Sequence, residues 1–392
     1  MDSVQTGRSL RRRAVIGLCV TEITCWGALY YSLPVATASI TATEGWSATA
    51  VTGAFSAALL LSAVAGVPVG RWLDRAGPRV VMTAGSALGA VGLVLVAAAE
   101  SIHMFLFAWL VVGTAQAAVL YQPAFTAIAR WYGDERTRPI TILTLVAGLA
   151  STVFAPLITA SIGAWGWRST YLLLAAVVAA LTIPAHALML TVPWPQPLRH
   201  GATLPVRRVS AVIRSRRFLV LQLGMTLIAL GLYAVTLNLI PLLTSRGLSA
   251  ATAATAFGLV GAGQVLGRLA FAALPAGTTP STRTTTVGVG TTAALALLAA
   301  LPGPATALIA AAVLAGAARG VYTLVYATAV ADRWGTERLG ILHGTFVAPI
   351  TVAVAAAPVT GVLLATQLGS YTAATAALAV VVAVGAILSG RS

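Results

Sequence analysis

Three ionisable side chains lie inside long apolar runs and are the residues with chemistry to offer: Glu22, Arg268 and Arg319. Arg268 stands in "GAGQVLGRLAFAAL", residues 261–274, with no acidic residue within twenty positions on either side. A guanidinium stays charged at physiological pH. A charge at mid-bilayer costs at least about 2.5–3.5 kcal/mol, so such a group faces a cavity or a partner. Arg319, in "GAARGVY", lies near the middle of its run, and Glu22 lies roughly 12 Å into the first one. Two cations and one anion leave room for one further negative charge. The expectation is that Arg268 and Arg319 bind an anion, with Glu22 as the protonatable group. A buried ion pair between Glu22 and one arginine is the structural alternative.

Other polar-tipped residues fall within the apolar runs. Tyr31, Tyr121, Gln122, Tyr233, Asn238, Gln264, Tyr322 and Tyr326 are candidates to line the same cavity. Tyr322 and Tyr326 follow Arg319 at successive helical turns, on one face. Tyrosines packed between helices are the bland alternative. His103, His186 and His343 fall near the ends of their runs and read as packed or interfacial side chains.

These residues need a membrane scaffold to hold them. The chain has 392 residues, of which 58% are hydrophobic and 8% charged. A soluble domain carries about 25% charged residues. Mean hydropathy is +0.92. A membrane-spanning helix needs about 20 apolar residues. Twelve candidates appear: 14–40, 47–70, 79–99, 102–129, 139–162, 170–192, 218–243, 250–274, 285–301, 305–330, 339–365 and 371–389. The thinnest division is "PGP" at 302–304. "RSLRRR" followed by an apolar stretch imitates a secretory signal, but the stretch is too long and lacks a cleavage site, so it reads as an uncleaved first span.

The net charge of +15 does not indicate nucleic acid, because the arginines are scattered among short loops without interleaved aromatics. Twenty arginines fall in one set of loops and two, Arg168 and Arg246, in the other. That bias places both termini in the cytoplasm of a multi-pass cell-membrane protein. Cys19 and Cys25 are six residues apart on one helix and cannot pair with each other, so they read as buried hydrophobes.

The stretch 193–217, rich in proline and arginine, reads as a cytoplasmic linker between six-span halves at 1–192 and 218–392. A shift of 202 residues brings Ser47 onto Ser249, Tyr31 onto Tyr233 and Pro156 onto Pro358. The same shift brings Gly133, Glu135 and Arg136 onto Gly335, Glu337 and Arg338. The fold class is therefore an all-α membrane protein of twelve transmembrane helices in two six-helix repeats.

After the second span comes "GRWLDRAGPR", with Gly70, Asp74, Arg75, Gly77 and Arg79 at the positions of a glycine, acidic and basic loop signature. It resembles the signature of the major facilitator transporters, in which Pro78 is a departure. The resemblance implies a conformational latch, with Asp74 accepting hydrogen bonds and Gly77 making a tight turn. In the second half Ala272 and Ala276 occupy the matching glycine and aspartate positions, so a latch there is weaker or absent. Arg268 resembles the eighth-span arginine of the oxalate/formate and monocarboxylate porters, which binds the substrate carboxylate and precedes the loop aspartate by eight residues. An aspartate found four residues earlier in the animal porters is replaced by Gln264, and their first-span lysine by Val35.

The resemblance implies a secondary transporter of a small, monocarboxylate-like anion. It would be coupled to protons or exchange anions, need no cofactor, and act as a monomer in the lipid bilayer. An exporter of an amphipathic drug or metabolite by proton antiport is the alternative. It lacks the fifth-span Gly-Pro-x-x-Gly-Gly motif of proton-driven exporters, since "STVFAPL" keeps only Pro156. A sensor on the same scaffold is a third reading. No phosphate loop, metal-ligand cluster or nucleophile constellation suggests an enzyme.

Overall fold

The structure is a computed structural model that describes residues 2–194, 206–272, 278–334 and 339–391. Nine helical stretches among these residues are long and apolar enough to cross a membrane. Two of them, Ala48–Ala97 and Arg138–Met189, each hold two helices, broken at Gly77 and Gly166 where φ is +77° and +76°. With the 21-residue helix Pro280–Ala300, twelve membrane-length helices result. They are α1 (Arg8–Glu44), α2 (48–76), α3 (78–97), α4 (Ile102–Tyr132), α5 (138–165) and α6 (167–189). The rest are α7 (Arg216–Leu237), α8 (Ala250–Ala272), α9 (Pro280–Ala300), α10 (Ala305–Thr328), α11 (Leu339–Gln367) and α12 (Tyr371–Gly390).

The chain separates into two compact units, Met1–Arg199 and His200–Ser392. Part of the expected linker, 195–205, lies outside the described residues. The remainder is more ordered than a linker: Val206–Ile213 is a short helix, and Arg216 already opens α7. Ser215 explains that start, since its hydroxyl caps the helix by accepting from Phe218 N at 3.3 Å.

The repeat has a physical basis at several helix starts and turns. Ser47 Oγ accepts from Ala50 N at 3.1 Å, and Ser249 Oγ accepts from Thr252 N at 3.1 Å. The matched serines are thus matched N-caps. The "PGP" division holds, with α9 ending at Ala300 and α10 starting at Ala305. The repeat's partners at 335–338 and Ala276 lie outside the described residues.

The "GRWLDRAGPR" stretch departs from expectation. It is no open loop: α2 runs through it to residue 76, and the turn is made at Gly77 (φ +77°, ψ 168°). Nothing between Arg71 and Ala76 breaks a helix, and Gly77 is the first residue that adopts positive φ without strain. Pro78 then suits the first turn of α3, where no N–H is needed.

Several spans are irregular, inside or at an end, and α6 carries a π-helical segment at Val178–Thr182. A π-helical segment, Trp26–Tyr31, interrupts α1. There Gly27 lets Phe154 come so close that a Cβ would lie 2.2 Å from its ring. The run of α4 is broken at Leu120 (φ −86°, ψ −169°), because Pro123 cannot donate to the carbonyl of Val119. At Asn238 (φ −104°, ψ 21°) α7 ends, three residues before Pro241.

Ties at the helix ends reveal a relation that identity matching misses. In the first unit, Arg168 Nη1 donates to Glu44 Oε1 at 2.5 Å and Nη2 to Ala99 O at 2.6 Å. The positions 202 residues after Glu44 and Ala99 are Arg246 and Leu301. Arg246 Nη1 donates to Leu301 O at 2.6 Å and Nη2 to Thr372 Oγ1 at 3.2 Å. The same three helix ends are joined, with the cation moved from the start of the sixth helix to the end of the first. At the opposite end Arg130 pairs with Asp74. Its repeat position is Asp332, which faces Arg283 Nη1 at 3.6 Å. The second unit therefore has a tie at that end, built with reversed charge and without the lost signature. Arg246→Gln should lower the stability of the second unit by about 1–2 kcal/mol. The thermal midpoint in detergent reads this, and an unchanged midpoint would show the tie to be idle.

Candidate functional site

The second unit holds both intramembrane arginines, and a close helix crossing sets their places. Gly263 and Gly267 on α8 meet Gly316 and Gly320 on α10. A Cβ at Gly267 would lie 2.2 Å from Ala317 O, and one at Gly320 would lie 2.2 Å from Gln264 O. Backbone therefore touches backbone, as in small-xxx-small packing of membrane helices. Arg268 directly follows Gly267, and Arg319 directly precedes Gly320. The crossing that positions the glycines thus positions both cations.

Both are sheltered: Arg268 is 7% exposed and Arg319 3%. Arg268 Nη2 approaches Thr323 Oγ1 at 3.5 Å, and Arg319 Nη1 approaches Thr236 Oγ1 at 3.5 Å. These are long contacts with neutral hydroxyls, at the weak end of hydrogen bonding. The Arg319 guanidinium also lies 4.2 Å from the centre of the Tyr233 ring, a cation–π distance. The Tyr326 ring centre lies 5.5 Å from that of Tyr322, on the same helix as Arg319. Gln264, one turn before Arg268, is buried, and its Nε2 has no hydrogen-bond partner among the described residues.

Two candidates of this unit are committed to backbone. Tyr322 donates its hydroxyl proton to Met225 O at 2.8 Å. Asn238 Nδ2 donates to Ala234 O at 2.9 Å and Pro358 O at 3.1 Å, splinting the end of α7 to α11.

In the first unit Glu22 is fully buried. Trp26 Nε1 donates to its Oε2 at 2.9 Å, while Oε1 has no hydrogen-bond partner among the described residues. Trp26 opens the π-helical segment and packs on three tyrosines, its ring centre 4.9 Å from Tyr30, 6.3 Å from Tyr31 and 4.9 Å from Tyr121. The break at Leu120 delivers Tyr121 to that place. Gln116 Nε2 donates to Leu29 O at 2.7 Å, occupying a carbonyl of the π-helical segment. Gln122 is exposed beside α2, where a Cβ on Gly66 would lie 2.9 Å from its Oε1. Glu22, Tyr31, Tyr121 and Gln122 form the first unit's candidates, apart from the signature residues.

Those signature residues fall into separate jobs. Asp74 pairs with Arg130, and its carbonyl accepts from Trp194 Nε1 at 3.1 Å. The Arg130 guanidinium lies 4.5 Å from the centre of the Trp194 ring. Arg79 Nε donates to Ala187 O at 2.7 Å, joining α3 to α6. Arg75 is exposed, and no heavy atom lies within 4 Å of a Cβ built on Gly70. Sequence reasoning missed Arg130 and Trp194. Their signal was available: both are ring or fork donors flanking the signature at the same end of the spans.

His186 Nδ1 is 2.8 Å from Ser86 Oγ, a packed pair, and His103 is exposed. The side chain of His343 lies outside the described residues. Cys19 and Cys25 are free thiols.

The family model described as the Major Facilitator Superfamily matches residues 18–306. Monocarboxylate transporter 11 of Homo sapiens is 30% identical over 217 residues, covering 55% of this chain and 46% of the relative. The chain spans about half the length of that relative and of its mouse counterpart, at 46% and 48%. The fujikurins efflux protein of Gibberella fujikuroi is 26% identical over 220 residues, covering 51% of this chain and 45% of the relative. A solved structure of a bacterial homologue of the human lysosomal transporter Spinster aligns with a TM-score of 0.69 at 15% identity, covering 97% of this chain and 96% of the other. That likeness bears on the fold alone.

Proposed function

Because this chain belongs to the Major Facilitator Superfamily of membrane transporters, we propose that it carries a small organic anion of the monocarboxylate class by alternating access. One observation carries the reading: two guanidinium groups, both under a tenth exposed, are fixed beside one glycine crossing among threonine and tyrosine side chains. A carboxylate suits that setting, since a planar guanidinium offers it a fork of two donors. Tyr233, Tyr326 and Gln264 supply neutral donors beside the fork. The sequence between Glu135 and Asp332 contains no Asp or Glu, so the charge excess of this region is positive. The relatives named as monocarboxylate transporters favour the same cargo class.

Glu22 is the group assigned to the proton. Trp26 takes one carboxyl oxygen, which leaves the other to hold or release a proton. The arginine asymmetry puts both termini in the cytoplasm. The two six-helix halves act as one monomer joined by the basic linker, with Asp74, Arg75 and Arg79 latching one conformation.

Purified protein in liposomes, tested with labelled lactate, pyruvate, oxalate and formate, should accumulate at least one of them when a pH gradient is imposed. Transport of none of the four would overturn the cargo class. Glu22→Gln keeps an oxygen for Trp26 but cannot release a proton. It should cut gradient-driven accumulation at least tenfold while labelled-for-unlabelled exchange continues. Unchanged accumulation would remove Glu22 from the coupling.

A second reading, export of an amphipathic metabolite, draws on the aromatic cluster of Trp26, Tyr30, Tyr31 and Tyr121 and on the efflux protein among the relatives. Resistance conferred on a pump-deficient host and kept by Arg268→Ala would favour it.

A further inference from the structure

A groove of about 590 Å³ runs between α1 and α5 in the first unit, and the anion-transport reading gives it no role. Ile16, Val20 and Ile23 form one wall, and Ile142 and Val146 the other. Ile16 is 49% exposed and Ile142 43%, so these apolar walls are open rather than packed. At one end the lining changes character to Arg12, Arg138 and Tyr132. Arg11 adds a third cation there, 5.8 Å from the centre of the Tyr132 ring.

Length and charge identify the occupant. From Arg12 to Ile23 the helix rises roughly 16 Å. One leaflet of a bilayer has about half of a ~30 Å hydrocarbon core. The groove is therefore one leaflet deep, with its cations at the level of the headgroups. The cationic end is also the end of the unit where Asp74 meets Arg130, since α1 and α5 start and α2 and α4 stop there. A small hydrated anion gains nothing from the apolar walls, and a neutral lipid gains nothing from the arginines. A ligand with an acyl chain and an anionic head uses both parts, and basic pockets between membrane helices are suited to such headgroups.

We propose that the α1–α5 groove holds one anionic phospholipid, its phosphate between Arg12 and Arg138 and an acyl chain along Ile16, Val20 and Ile142. The lipid covers the open apolar walls and ties the start of α1 to the start of α5.

Native mass spectrometry of the protein released from nanodiscs of equal phosphatidylglycerol and phosphatidylcholine reads the occupancy. The wild type should retain one phosphatidylglycerol about tenfold over phosphatidylcholine. Arg12→Gln with Arg138→Gln should bring that preference down to near parity. Val20→Trp fills the groove and leaves the arginines in place, and it should lose the retained lipid. Arg71→Gln, at the same end but outside the lining, should keep it. Equal retention of the two lipids by the wild type would overturn the proposal. So would undiminished retention by Val20→Trp, or displacement of the lipid by free glycerol phosphate, since either outcome makes the surface charge sufficient without the groove.

Discussion

Arg268→Gln should lower the initial rate of anion uptake into liposomes about a hundredfold while the protein still folds. Glutamine keeps a donor and much of the stem but loses the charge and the fork. A hydrogen bond to a charged group contributes about 1.5–3 kcal/mol, and 1.4 kcal/mol is a factor of ten. Losing one bidentate contact to a carboxylate is thus worth about a hundredfold. Arg268→Lys restores charge without the fork and should recover part of the rate. Parent-like uptake of every transported anion by Arg268→Gln would remove this residue from the site.

Gly320→Leu should have the largest effect on folding. The added Cβ would stand 2.2 Å from the backbone oxygen of Gln264. No rotamer relieves that contact, because the Cβ itself collides with main chain. α8 and α10 would have to separate, losing the close packing that joins membrane helices. Overpacking costs about 1–3 kcal/mol, and a main-chain collision lies at the top of that range, seen as a lower thermal midpoint and a smaller folded fraction in detergent. Gly290→Leu on α9 is the matched control, since no heavy atom lies within 4 Å of its added Cβ. Equal midpoints for the two variants would show that α8 and α10 are not held by this contact.

The spans were legible because hydrocarbon thickness imposes a length on every helix. Even the thin division at 302–304 was readable, since Pro302 and Pro304 flank a glycine. The interior of the spans was less so. Pro123 marked the irregularity of α4, but the sequence does not say that the break falls at Leu120 and turns Tyr121 toward Trp26. The helical extension through Asp74 was hidden because charged residues before a glycine look like a loop in a membrane chain. The reversed ties escaped for a different reason. A search for identical residues discards Glu44 against Arg246 and Arg130 against Asp332, although hydrogen bonding and ion pairing conserve the join while exchanging its sign.

For the candidate site, Arg268, Arg319 and Glu22 stood out because the membrane makes any charge conspicuous. What stayed hidden was the supporting chemistry. Thr236, Thr323 and Trp26 are unremarkable in sequence, and only folding brings their donors and acceptors to the charged groups.

Under the proposed function, the glycine crossing of α8 and α10 would also limit how the protein discriminates among cargoes. On that transport reading, two rods in main-chain contact would travel as one piece and carry the backbone positions of Arg268 and Arg319 together. Cargo size would then be sorted by a ruler set once, when the protein folds. Widening the accepted range would require reshaping that joint rather than loosening any gate.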